Sequence, residues 1–202
     1  MNRRRLIQAY RALLGGLTLA ALLYQYSYSS QKPGFSPLNF WAYFTNLSNV
    51  LAAGVFLWGA IRRPAPASSD FWRGMAVLGM TLTGVVFTLL LSALEVLVLP
   101  GVNLVVHYVM PAAVFADWLI DPPQARLTLR SGLRWLVFPL GYGVITLIRG
   151  HFVRWYPYPF LSPAKVGYGG VAVYAVCILA GLVVLIWVLV ALGNLRREKR
   201  SS

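Results

Sequence analysis

The chain has 202 residues, 58% of them hydrophobic and 11% charged, with a mean hydropathy of +0.66. A soluble domain carries about 25% charged residues, so the composition excludes an ordinary water-soluble domain and leaves little length for one beside a membrane region. The net charge of +13 would point to nucleic acid in a soluble protein, but the basic residues alternate with apolar runs and form no single patch, so no nucleic-acid partner is expected.

Apolar runs near 20 residues are long enough to span a bilayer as helices. The short alternating strands of a membrane barrel are not seen. The expected fold is all-α: a single polytopic transmembrane domain over 1–202, with about six helices near 6–24, 38–61, 72–95, 102–120, 132–150 and 168–194. The first run follows Asn2-Arg-Arg-Arg5 and could be a signal peptide. Tyr24-Gln-Tyr-Ser-Tyr-Ser is a poor small-residue cleavage site, so a retained helix is expected.

The connections are short. Ser29–Pro37 is a turn-rich loop, and Arg62–Asp70 is a linker with Pro64 and Pro66. Leu99-Pro-Gly101 is a turn, and Asp121-Pro-Pro123 ends the fourth span because proline cannot continue a helix. The connection 151–167 carries Trp155, Tyr156, Tyr158 and Phe160. It reads either as an interfacial aromatic anchor or as a cap over a cavity below. Cys177, the single cysteine, lies in the last run, which excludes an internal disulfide and a cysteine-based metal site.

Fourteen of the eighteen Lys and Arg residues flank one set of span ends: the Arg3–Arg5 run, Arg11, Arg62, Arg63, Arg73, Arg126, Arg130, Arg134, Arg196, Arg197, Lys199 and Arg200. Only Lys32, Arg149, Arg154 and Lys165 flank the other. The positive-inside rule then puts both termini in the cytoplasm of a cell, inner or plasma, membrane.

With that topology Thr45 and His107 both fall about 9 Å below the outer face at 1.5 Å per residue. A threonine in a membrane helix is usually structural. An ionisable histidine is costly there and marks function more often, although it also serves as a neutral interhelical hydrogen-bonder. Glu95, Asn46, Asn49, Asn103 and Arg149 fall in the same outer half. Thr45, Ser48 and Asn49 share one helix face by i, i+3, i+4 spacing. Pro111, four residues after His107, lacks the N–H that would bond the His107 carbonyl, so a kink is expected beside the imidazole. Asp117 lies near the inner end and is expected to pair with an arginine there.

The polar layer supports a nucleophile and base, Thr45 and His107. Asn46, Asn49 and Arg149 are candidate oxyanion donors, Glu95 a third member behind His107, and Tyr156 and Tyr158 candidates for substrate or oxyanion contact. This chemistry calls for no cofactor and no metal; its partners are the lipid substrate and membrane lipids. The same layer also suits a non-enzymatic protein that binds a small lipophile or passes an ion or proton through His107. A third class is a scaffold whose aromatic loop docks a partner.

The runs Phe40-Trp-Ala-Tyr-Phe-Thr-Asn-Leu-Ser-Asn49, His107-Tyr-Val-Met-Pro111 leading to Asp117-Trp118, and Ile148-Arg-Gly150 before Tyr156-Pro-Tyr-Pro-Phe-Leu161 resemble the androgen-induced gene/ADTRP family, and more closely its compact bacterial branch of six-span membrane proteins. The resemblance covers most of the chain. Animal members of that family are threonine hydrolases that cleave fatty acid esters of hydroxy fatty acids, with the threonine in an early span and the histidine in a later one. By position, the resemblance implies those roles for Thr45 and His107.

Overall fold

A computed structural model describes residues 2–62, 66–93 and 98–201. Among these, six helical stretches are long and apolar enough to cross a membrane: Arg3–Ser30, Phe44–Ile61, Ser68–Leu91, Pro100–Ile120, Leu129–Val153 and Pro163–Lys199. The protein is an all-α, multi-pass membrane helix bundle. Helix α1 (Arg3–Ser30) starts at Asn2, whose side chain accepts from the Arg4 N–H at 3.2 Å, supplying a free donor of the first turn with a partner.

The second span differs from the continuous helix expected from residue 38. A short helix α2 (Pro37–Trp41) ends at Ala42, Tyr43 is extended, and α3 (Phe44–Ile61) begins anew. Aromatic contacts hold α2 where it is. Tyr26 of α1 packs on Phe35, Phe40 and Trp41 with ring centroids 5.4, 5.2 and 6.0 Å away. Two side chains take the carbonyls that the break releases. Tyr142 Oη donates to Ala42 O at 3.0 Å and Asn46 Nδ2 to Phe40 O at 2.6 Å, as a helix end without water requires.

The third span is α4 (Pro66–Val86) continued by a π-helical turn over Phe87–Leu91. The fourth is α5 (Pro100–Leu104), a π-helical turn over Val105–Val109 and α6 (Met110–Ile120), which stops at Asp121 before the two prolines. The fifth is α7 (Leu129–Leu133), a 3-10 turn and α8 (Val137–Val153); the sixth is α9 (Pro163–Ser201), kinked at Gly167, whose φ is 69°.

Lipid offers no hydrophobic drive between helices, so close packing of small residues matters. An added Cβ at Gly15 of α1 would lie 2.9 Å from Leu57 Cγ of α3, and at Gly74 of α4 only 2.0 Å from Cε2 of Trp135. Trp135 and Trp118 are buried in the core with Phe56, Leu78, Met110 and Leu189. The Trp118 indole N–H donates to Leu189 O at 3.0 Å and so joins α6 to α9.

The arginine-rich end of the bundle is tied by ions. Arg11 meets Asp117 at 2.7 Å and Asp121 at 2.8 Å, and Arg73 meets Asp117 at 2.9 Å. Asp117, only 4% exposed, thus links α1, α4 and α6, in keeping with the arginine pairing expected for it. Removing one member of a buried ion network strands its partners. Asp117→Ala is expected to lower the stability of the detergent-solubilised protein by about 3–5 kcal/mol, read by thermal or denaturant unfolding.

Candidate functional site

The break at Tyr43 sets the site. It puts Thr45 in the first turn of α3, where backbone N–H groups lack helical acceptors, instead of the second turn of a continuous helix. The Thr45 N–H donates to Tyr158 Oη at 3.3 Å. Its side-chain Oγ1 lies 3.3 Å from His107 Nε2 and 3.5 Å from Tyr158 Oη. Thr45, Ser48 and Asn49 do share one face. Ser48 Oγ donates to Thr45 O at 3.1 Å and also contacts Thr83 Oγ1 at 2.8 Å.

His107 is 5% exposed and sits inside a π-helical turn. Pro111 supplies no N–H to the His107 carbonyl, and the helix answers with a widened turn: the Met110 N–H bonds Val105 O, five residues back. That leaves Val106 O without a helical donor, and Asn49 Nδ2 of α3 donates to it at 3.1 Å. Such turns are frequent at functional sites. The other ring nitrogen, Nδ1, lies 2.7 Å from Asn103 Oδ1, one turn earlier on the same helix. Asn103 Oδ1 accepts from Nδ1, so the neutral ring carries its proton there and its Nε2 lone pair faces Thr45. Phe87, in the second π turn, stacks on the imidazole with centroids 3.8 Å apart and planes 15° from parallel.

The aromatic connection folds over this pair as a cap. Arg154 ends α8 in the left-handed conformation, φ 57°, and turns the chain back. Tyr156 then lies on Gly150, where an added Cβ would meet Tyr156 Cε1 at 2.1 Å. Arg149 donates to Asn39 Oδ1 at 2.6 Å and stacks over Trp155 at 5.2 Å, fastening the loop to α2. Tyr158 and Phe160 stack at 5.3 Å and are buried, and Tyr43 packs edge-on against Tyr158 at 5.8 Å. Burial pushes the Tyr158 phenol above its usual range, against the opposing pull of its hydrogen bonds with Thr45. At neutral pH Tyr158 is therefore a neutral hydrogen-bond donor.

The structure brings Thr45, His107 and Tyr158 together. Both amide hydrogens of Asn49 are committed, to Thr45 O at 2.9 Å and to Val106 O. Asn46 holds the end of α2, Arg149 holds the cap, and Tyr156 seats the cap on α8. These four shape the site and leave donation beside Thr45 to Tyr158. Glu95 lies outside the described residues. The partner behind His107 is Asn103, which the sequence placed in the same half of the bilayer without a role. An amide in that place parallels the Cys-His-Asn variant of the hydrolase triad. No protein-family model matches the chain, and no curated protein and no solved structure matches it.

The seat of Tyr156 generates a test. Gly150→Ala is expected to lift the cap and speed trypsin cleavage after Arg154 in the detergent-solubilised protein, since exposed cleavage tracks local opening. Unchanged cleavage would show that the cap does not depend on that contact.

Proposed function

We propose that this protein is an intramembrane threonine hydrolase that cleaves lipophilic esters, of the kind represented by fatty acid esters of hydroxy fatty acids. The observation that carries the reading is the relay Asn103 Oδ1–His107 Nδ1 at 2.7 Å and His107 Nε2–Thr45 Oγ1 at 3.3 Å. The second distance suits an unliganded nucleophile–base pair, which is often looser than in the reacting complex. Resemblance of the Thr45 and His107 segments to the androgen-induced gene/ADTRP family supports the same reaction.

In the first step Nε2 of His107 takes the Thr45 hydroxyl proton as Oγ1 attacks the ester carbonyl carbon. The carbonyl electron pair moves to oxygen, and the Tyr158 hydroxyl donates to that oxyanion. Collapse restores the carbonyl and breaks the bond to the alkoxy oxygen, which leaves with the proton from His107. The acyl group now sits on Thr45. Water, deprotonated by Nε2, attacks it; the fatty acid departs and Thr45 recovers its proton. Asn103 keeps the proton-accepting nitrogen turned toward Thr45 throughout.

The arginine-rich ends of the spans face the cytoplasm in this reading, by the positive-inside rule, and both termini lie there. The membrane is the cell membrane, and the Thr45 site lies toward its outer face, beneath the cap. An amphiphilic ester fits that place, because its acyl chains stay in lipid while its carbonyl reaches the polar layer.

Thr45→Ala and His107→Ala are each expected to abolish labelling by a fluorophosphonate probe, read by intact-protein mass spectrometry. Labelling retained in both overturns the assignment. Uptake or ligand binding that needs His107 but not Thr45 would favour a lipophile- or ion-handling protein instead. Tyr158→Phe is expected to lower kcat by about 10²–10³, the usual loss of one oxyanion donor, with KM nearly unchanged. An equal kcat for Tyr158→Phe and wild type removes Tyr158 from the oxyanion role.

A further inference from the structure

A cavity of about 420 Å³ lies far from Thr45, at the other end of the bundle. Helix α3 runs from Thr45 in its first turn to Arg62 at its end, about 25 Å at 1.5 Å per residue. The cavity is formed by the start of α1, the end of α3, the start of α4 and the chain just after α6. Five arginines line it: Arg3, Arg4, Arg11, Arg62 and Arg73. Among the described residues, Asp121 is the one carboxylate in the lining.

The charges do not balance. Arg11 and Arg73 are matched by Asp117 and Asp121 in the buried ion network. Arg3 donates to the Ile120 carbonyl, which orients its guanidinium without neutralising it. Among the described residues, neither Arg4 nor Arg62 forms an ion pair with a carboxylate. Arg3, Arg4 and Arg62 therefore line one concave space, and among the described residues none of the three forms an ion pair with a carboxylate. The remaining wall is mixed: Gln8 presents an amide, while Ile7 and Trp58 are apolar. Guanidinium forks match phosphate oxygens in pairs, and basic pockets between membrane helices hold anionic headgroups.

We propose that this cavity is a binding site for a phosphate-bearing anion, with Arg3, Arg4 and Arg62 as its ligands. The phosphate comes either from the headgroup of an anionic membrane lipid or from a free phosphate in solution. Trp58 and Ile7 would flank the glycerol end of a lipid, and the Arg11–Asp117–Arg73 network forms the rigid floor. The site is separate from the Thr45–His107 pair and does not depend on the ester-hydrolase reading.

The test uses the full chain in a mild detergent, with thermal unfolding and native mass spectrometry as paired readouts. Phosphatidylglycerol, phosphatidylcholine and inorganic phosphate are added separately to wild type, to Arg4→Gln/Arg62→Gln, and to Arg130→Gln/Arg134→Gln. The last pair removes two exposed arginines outside the cavity. The expected result is a rise in Tm and a retained phosphatidylglycerol adduct on wild type and on the Arg130/Arg134 variant, both lost in the Arg4/Arg62 variant. Phosphatidylcholine should give a smaller rise. A Tm rise with inorganic phosphate alone, also lost in the Arg4/Arg62 variant, supports the site and assigns it to a soluble phosphate. Equal lipid retention by all three proteins, equal loss in the two double variants, or no effect of any additive on wild type overturns the proposal. Mass spectrometry reads binding even if a variant is less stable, and Thr45→Ala should bind as wild type does.

Discussion

A backbone polar group freed inside a membrane has no water to turn to, and most of this structure follows from that constraint. The helices break or widen at Tyr43, over Phe87–Leu91 and over Val105–Val109, toward the Thr45 end of the bundle, and side chains from other helices meet several of the groups released. Tyr142 and Asn46 close the end of α2 by donating to Ala42 O and Phe40 O. Asn49 closes the π turn through Val106 O. Tyr158 takes the Thr45 N–H at the start of α3. All but the Asn46–Phe40 bond join segments distant in sequence, so the irregularities that look like weak points are also what fixes the helices against one another.

The site grows out of the same irregularities. A continuous second span would have turned the Thr45 amide into its own helix. The break leaves that amide facing Tyr158 and brings the hydroxyl beside His107. On the facing helix, the π turn forced beside Pro111 carries the imidazole, and a second π turn carries the Phe87 ring that stacks on it. The Thr45–His107 pair is thereby held in one small volume, covered by the loop that Gly150 and Arg149 hold down. At the opposite end, order is electrostatic: Asp117 gathers Arg11 and Arg73 from two other helices.

Much of this was legible along the chain. Spans, turns and the asymmetry of arginine could be read from hydropathy and proline placement, because a bilayer imposes one length and one polarity profile on every crossing. The shared face of Thr45, Ser48 and Asn49 followed from helical periodicity, and the disturbance beside His107 followed from the missing Pro111 N–H. The form of that disturbance did not. Proline can be met by a kink or by a wider turn, and Asn49, 57 residues away, supplies the bond to the carbonyl left by the wider turn.

The sequence by itself determined an all-helical, multi-pass bundle and singled out Thr45 and His107, because both depend on local quantities: hydrophobic length, helical period and the cost of an ionisable group in lipid. Tertiary structure alone decided that Tyr158, 113 residues from Thr45, stands over the hydroxyl, that Asn46, Asn49 and Arg149 serve as braces, and that Asn103 is the residue behind the imidazole. Hydrogen bonds of that kind are set by which helix ends meet across the bundle, and helix packing leaves no period in the sequence from which to read them.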